Sequence, residues 1–174
     1  MSNVYIGIDP GKSGAVAVIN NNQNILLLED WPGNEIAAAS IIRDLIKAYP
    51  DHHSGTYEYS IKAAIERSQS MPGQGVRSMF VFGTNYGIWQ GVLAAFQIPF
   101  IIPTPQAWQK GIISKAKDKK PALAAASRMF PLAELYGPRG GGKDGRADAL
   151  LIADFCRRLN SRQPDKAKPE RVER

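Results

Sequence analysis

Four acidic residues and one lysine-rich segment have the types and spacings on which chemistry could rest. Asp9 closes the apolar run Val4-Tyr5-Ile6-Gly7-Ile8, just before a Pro10-Gly11-Lys12-Ser13 turn, and Glu66 closes Ile61-Lys62-Ala63-Ala64-Ile65 in the same way. If the two runs are neighbouring parallel strands, their C-terminal ends bring the carboxylates together beside the sheet. Bare carboxylates held close repel one another, so they need a shared proton or a cation. A divalent metal is the simpler answer, since hard oxygen ligands suit magnesium or manganese. Taken singly, Asp9 also reads as a turn-former before Pro-Gly, and Glu66 as a solvent-facing strand end.

Asp148 shares the i, i+3, i+4, i+7, i+11 stripe with Leu151, Ile152, Phe155 and Leu159, which places an acid on the side of a helix that packs against the sheet. A helix-dipole role in the first turn is the alternative. Asp144 lies one turn earlier on the same face, as a fourth ligand or as a cap for the free amides. The formal net charge is +6, and the surplus is local: five lysines (Lys110, Lys115, Lys117, Lys119, Lys120) face only Asp118 within residues 110–120, and residues 160–174 are also basic. Charge confined in this way suits a phosphate backbone, with a solvated loop and tail as the plainer reading. His52 and His53 sit in a polar loop and read as solvated; Cys156, the single cysteine, reads as core packing. With no catalytic Cys/His set, the acids imply two-metal hydrolysis of a phosphodiester, one ion activating water and the other stabilising the leaving 3′ oxygen.

The elements that must hold these residues fit one domain: 174 residues with 44% apolar content suffice for a full core. Strands are expected at 4–9, 14–19 and 25–30 as an antiparallel meander, followed by a helix over 34–48 with Ile36, Ile41, Ile42, Leu45 and Ile46 on its buried stripe. A strand at 61–66, parallel to the first, a long apolar helix over 76–96 and a short strand at 99–102 come next. A turn of helix after Thr104, a helix over 121–130, a flexible run Gly140-Gly141-Gly142 and a last helix over 144–159 complete the domain. Residues 160–174 read as a basic, disordered tail. The order predicts an α/β fold of ribonuclease H-like type, a mixed five-stranded sheet with its first three strands antiparallel and helices on both faces. No apolar run approaches the roughly 20 residues of a membrane span, and the early first strand leaves no room for a signal peptide. The expected setting is therefore the cytosol.

Ile6-Gly7-Ile8-Asp9-Pro10-Gly11, the strand ending in Glu66, and Gly145-Arg146-Ala147-Asp148-Ala149-Leu150 together resemble the RuvC-type Holliday junction resolvases. Glu66-Arg67-Ser68 with Met71-Pro72, the Phe82-Gly83…Tyr86-Gly87-Ile88-Trp89 segment and Pro105-Xaa-Xaa-Trp108-Xaa-Lys110 make the sequence most similar to the plant chloroplast resolvases and their phage or bacterial relatives. The resemblance implies a nuclease that cuts four-way DNA junctions as a homodimer with two magnesium ions per site, manganese substituting. Asp9, Glu66 and Asp148 match the metal-binding acids. Gly145 stands where the bacterial resolvases have their fourth ligand, and Asp144 matches the chloroplast-like position. Lys110 matches one family lysine, and Lys119 or Lys120 a second, either neutralising charge at the phosphate or contacting the backbone. DNA contacts are further implied at Lys12, Arg67, Met71, Lys115, Lys117, Lys120 and Arg146, with Met71 as a wedge at the junction centre.

Gly83, Gly87 and Gly91 recur every fourth residue on the long helix, which implies close packing either on the sheet or, by the resemblance, at a homodimer interface whose two-fold axis would match the junction. Phe80 and Phe82 are expected in the core. Sugar kinases share an Asp-Xaa-Gly hairpin but need about twice this length. Two readings stay open beside the junction nuclease: a related nuclease acting on other branched DNA or on RNA, and a non-catalytic junction-binding protein.

Overall fold

The computed structural model describes residues 2–49, 59–67, 73, 75–113 and 120–161. Strands β1 (Ser2–Asp9), β2 (Ala15–Asn20) and β3 (Ile25–Asp30) form the meander, helix α1 (Glu35–Ala48) crosses over, and β4 (Tyr59–Ile65) returns parallel to β1. Helix α2 (Val76–Ala95), β5 (Phe100–Ile101), α3 (Pro105–Gln109), α4 (Pro121–Met129) and α5 (Asp144–Ser161) follow. The sheet order is β3-β2-β1-β4-β5, with β4 and β5 also parallel. This is the mixed five-stranded α/β architecture that the order of elements predicts. No helix among the described residues is long and apolar enough to cross a membrane.

Alternation along the strands divides the core between the two faces of the sheet. Val4, Ile6 and Ile8 of β1, with Ile61, Ala63 and Ile65 of β4, pack against Ala38 and Ile42 of α1 and Trp89 and Leu93 of α2. Tyr5, Ala17, Ile19 and Ala64 face the other way, toward Leu123 and Ala126 of α4 and Leu150, Ile152 and Ala153 of α5. Asn34 caps α1 by accepting from the Ala37 amide at 2.9 Å, and the amide of Tyr49 closes its end on Leu45 and Ile46. Cys156 is buried in the α5 face of the core, where burial pushes its thiol up to about 12.

Three apolar expectations fail, two of them because helical residues advance about 100° each. Ile36 is 75% exposed because it stands about 120° around α1 from Ile42. Phe80 is 76% exposed, nine residues from Trp89 and so on the opposite side of α2, while Phe82 is half-buried. Leu159 is exposed as well although it lies within about 20° of Ile152 around α5, and the buried surface of that helix is broader than a narrow stripe, taking in Ala147, Ala149 and Leu150 beside Leu151 and Ile152. The run Gly140–Gly142 is not loose. Gly137 and Gly140–Gly142 form a turn closed by Gly137 N–H to Gly141 O at 2.8 Å and bridged to Tyr136. Helix α5 extends two residues past the expected boundary to Ser161, and residues 162–174 lie outside the described residues.

Candidate active site

Parallel pairing of β1 with β4 sets Ile8 opposite Ile65, so the next residues, Asp9 and Glu66, leave the sheet side by side. The Glu66 amide still donates to Ile8 O at 3.0 Å, and the Arg67 amide to Pro103 O at 2.8 Å, which holds the strand exit in place. Asp9 Oδ1 accepts from the Gly11 amide at 2.9 Å, and the turn closes behind it with Gly14 N–H on Gly11 O at 2.9 Å. The buried Trp108 donates its indole N–H to Glu66 Oε1 at 2.9 Å. That indole is delivered by α3, whose N-cap Thr104 accepts from Ala107 N at 3.3 Å and whose first residue is Pro105, pre-set for a helix start.

Asp148 arrives from α5, which passes unusually close to the sheet and the β1–β2 turn. A Cβ at Gly7 would run into the carbonyl oxygen of Ala149 and the backbone of Ala153; one at Gly145 would strike the carbonyl of Ser13. Helix and hairpin therefore meet main chain to main chain, and only glycine fits at those two points.

The three acids sense one another. Burial pushes Asp9 above the ordinary carboxylate range, against the Gly11 hydrogen bond. Glu66 is pushed up to about 7, first by burial and then by the Asp9 charge, with the Trp108 hydrogen bond opposing. Asp148 rises to about 8 through burial, then repulsion from Asp9, Glu66 and Asp144. At neutral pH such a cluster holds protons or a cation. Among the described residues no three His, Cys, Asp or Glu side chains form a preassembled metal-holding group; one oxygen each of Asp9 and Glu66 is engaged by Gly11 and Trp108. The donor set, oxygens alone with mutually raised affinity for positive charge, fits a hard divalent cation.

Asp144 stands at the rim as the first residue of α5. Both of its oxygens accept from Lys120, at 2.8 and 3.1 Å, and both side chains are exposed. Asp144 and Asp148 line a hollow of about 270 Å³ with Gln109, Ile113, Lys120 and Leu123. A second hollow of about 440 Å³ lies on the other side of Asp144, lined by Lys12, Gly14, Trp31, Lys143 and Arg146 among others. Lys12, Arg67 and Lys110 are exposed, Lys110 at the end of α3. The side chain of Arg146 is mostly covered and donates to Asp30 at 2.6 Å and to the Glu134 carbonyl at 3.3 Å, and the contact with Asp30 holds that carboxyl below its usual range. His52, His53, Met71, Lys115, Lys117 and Lys119 lie outside the described residues. A hollow of about 540 Å³ beside β3 and residues 129–134 is lined by none of the four acids.

One contributor to the site had no separate signal in the sequence, and one buried acid outside the site had a local one. Trp108 belongs to the Pro105-Xaa-Xaa-Trp108 motif, but a bond across 42 residues to Glu66 has no local pattern. Asp154 is wholly buried and holds Arg157 and Arg158; its i, i+3, i+4 spacing to two arginines was the available clue.

No family model matches the sequence, and no curated protein sequence is similar enough to count as a match. Solved structures are similar in fold. RuvC of Thermus thermophilus in complex with a Holliday junction substrate superposes with a TM-score of 0.57 at 15% identity, over 92% of this chain and 97% of that one. A further structure of Thermus thermophilus RuvC gives 0.52 at 17% identity with the same coverage. The chain thus has a RuvC-like fold.

Proposed function

We propose that the chain is a divalent-cation-dependent, structure-selective endonuclease that cuts four-way DNA junctions symmetrically. The observation that carries this reading is the convergence of Asp9, Glu66 and Asp148, three mutually repelling and largely buried carboxyls, at two parallel strand ends and the start of one helix in a RuvC-like fold. An acidic cluster that raises its own proton affinity destabilises the protein, and a role in binding cations accounts for it.

Asp9, Glu66 and Asp148 would hold the ions, two magnesium or manganese per site, with Asp144 as the fourth acid. When bound, divalent ions supply an activated water and neutralise charge during phosphodiester hydrolysis. The chain's own groups prepare that step. The Gly11 amide and the Trp108 indole fix one oxygen each of Asp9 and Glu66, and the other oxygen of each would be the one to ligate an ion. The exposed Lys120–Asp144 pair is worth less than about 1 kcal/mol, so Lys120 leaves Asp144 at little cost when a phosphate competes. Lys110, with Lys119 or Lys120, neutralises charge at the scissile phosphate. Lys12, Arg67, Met71, Lys115 and Lys117 contact the DNA, and Arg146 anchors the start of α5 to Asp30.

A homodimer is the assembled form. Gly83, Gly87 and Gly91 have no heavy atom within 4 Å of a Cβ position, so packing on the sheet does not explain them. With the exposed Val76 and Phe80 they form one outer face of α2, which a second copy would cover. The motifs around Glu66, Gly87 and Trp108 support a place beside the chloroplast-type resolvases and their phage or bacterial relatives, acting in the cytoplasm of the cell or infected host.

The test is cleavage of an end-labelled four-way junction with magnesium, compared with a nicked duplex, a flap and an RNA–DNA hybrid. Paired symmetric cuts in the junction, abolished by Asp9→Asn with binding retained, are expected. Undiminished cutting by Asp9→Asn refutes the mechanism; faster cutting of the flap or hybrid replaces the substrate.

A further inference from the structure

Tryptophan and tyrosine aside, Asn85 and Asp154 are the only buried polar or charged residues among the described ones. Asp154 is accounted for by Gln23, Arg157 and Arg158, which donate to its two oxygens. Packing does not account for Asn85. It stands on the buried face of α2 with Trp89 and Leu93, at i, i+4 and i+8, where the helical period calls for an apolar residue. Gly83 and Gly87 lie about 200° away around the helix, so the outer glycine face makes no use of it. A buried amide costs stability unless it gains a hydrogen bond. Among the described residues the Asn85 side chain makes one: Nδ2 donates to the carbonyl oxygen of Gly11 at 3.5 Å.

That carbonyl does not need the donor. It already accepts from the Gly14 amide at 2.9 Å, so an apolar residue at position 85 would leave no orphaned group in the turn. What the bond adds is position. Gly11 is the residue whose amide donates to Asp9 Oδ1 at 2.9 Å, so a single residue separates α2 from that carboxylate. On the other face of the sheet, Gly145 of α5 rests against the carbonyl of Ser13, two residues further along the same turn. The turn is thereby held from both faces, by main-chain contact from α5 and by the Asn85 amide from α2, with the donor to Asp9 between them.

We propose that Asn85 is a positioning residue for the cation site: by holding Gly11 toward α2 it fixes the amide that orients Asp9. This rests on Asp9 being a cation ligand and adds a contributor from a helix that carries none of the acids. The test needs no DNA. Manganese binding to the full chain is followed by the electron paramagnetic resonance signal of the free ion, with thermal melting in EDTA measured alongside. Asn85→Leu melts no lower than the parent, since it exchanges a buried amide for an apolar group of similar size. It binds manganese about tenfold more weakly, the scale on which groups that orient a ligand act. Leu93→Ala, two turns along the same buried face, loosens α2 without reaching the turn; it melts lower and binds manganese as the parent does. In junction cleavage, Asn85→Leu raises the magnesium concentration giving half the maximal rate by about the same tenfold, with the rate at saturating magnesium within about twofold of the parent's. Parent-like manganese binding by Asn85→Leu, or an equal loss in Leu93→Ala, overturns the inference. A parent that binds no manganese overturns the reading of the acids as well. Should Asn85→Leu fail to fold, Asn85→Ala removes the same donor and carries the comparison.

Discussion

Replacing Asp148 by Asn should make the cation-free protein more stable while removing the proposed cutting activity. A carboxyl moved from its ordinary 3.8 to about 8 is disfavoured as the anion in the folded state, at a cost approaching about 4 kcal/mol at pH 7. Part of that cost is repulsion shared with Asp9 and Glu66, and the amide keeps some of the burial penalty, so a gain of about 2 kcal/mol is expected for Asn. For a domain of this size that corresponds to a melting temperature higher by roughly 4–8 °C. The sign follows from linkage. Because the folded value lies above the unfolded one, the penalty is absent below about pH 4, grows as the pH rises, and levels off beyond about pH 8. Differential scanning fluorimetry in EDTA from pH 4 to 9 should therefore show the parent falling away from Asp148→Asn as pH increases. Magnesium or manganese should stabilise the parent more than the variant. A variant no more stable than the parent at pH 7.5, or a gap that widens toward acid, would refute the argument that the three carboxyls strain one another.

Trp108→Phe keeps an aromatic ring but removes the donor to Glu66 Oε1; kcat should fall about tenfold at pH 7, with the acidic limb of the pH–rate profile moved upward, because the hydrogen bond that lowers Glu66 is lost. Gly7→Ala forces α5 off the sheet and should cost about 1–3 kcal/mol in urea unfolding; activity should drop further than stability explains. Gly87→Leu should yield monomers in sedimentation equilibrium that bind junctions weakly, and a fully active dimer would place the interface elsewhere.

Much of the fold was legible because its signals are local. The apolar runs of β1, β2 and β4 end at Asp9, Asn20 and Ile65 as the polar residues and turns require. Asn34 and Thr104 mark helix starts by the side chain each offers. Strand pairing then set Asp9 beside Glu66 without further information. The misreadings, Ile36 and Phe80, arose where apolar character was taken as burial although the helical phase points outward. Longer-range pairings stayed invisible. Trp108 with Glu66 joins α3 to the end of β4, and Arg146 with Asp30 spans 116 residues. Gly145 was read as a ligand position lacking its acid, whereas its backbone sits against Ser13 and leaves no room for any side chain.

The bare contact of α5 with β1 at Gly7 makes the spacing between strand and helix a fixed ruler. Side-chain layers can be repacked with residues of other volumes, and the elements they separate drift by fractions of an ångström as they change. Peptide groups in direct apposition have no such slack. Neighbouring apolar positions are thereby freed to diverge while the gap between the strand bearing Asp9 and the helix bearing Asp148 keeps its width, which is how a reactive constellation can outlast nearly all of the sequence around it.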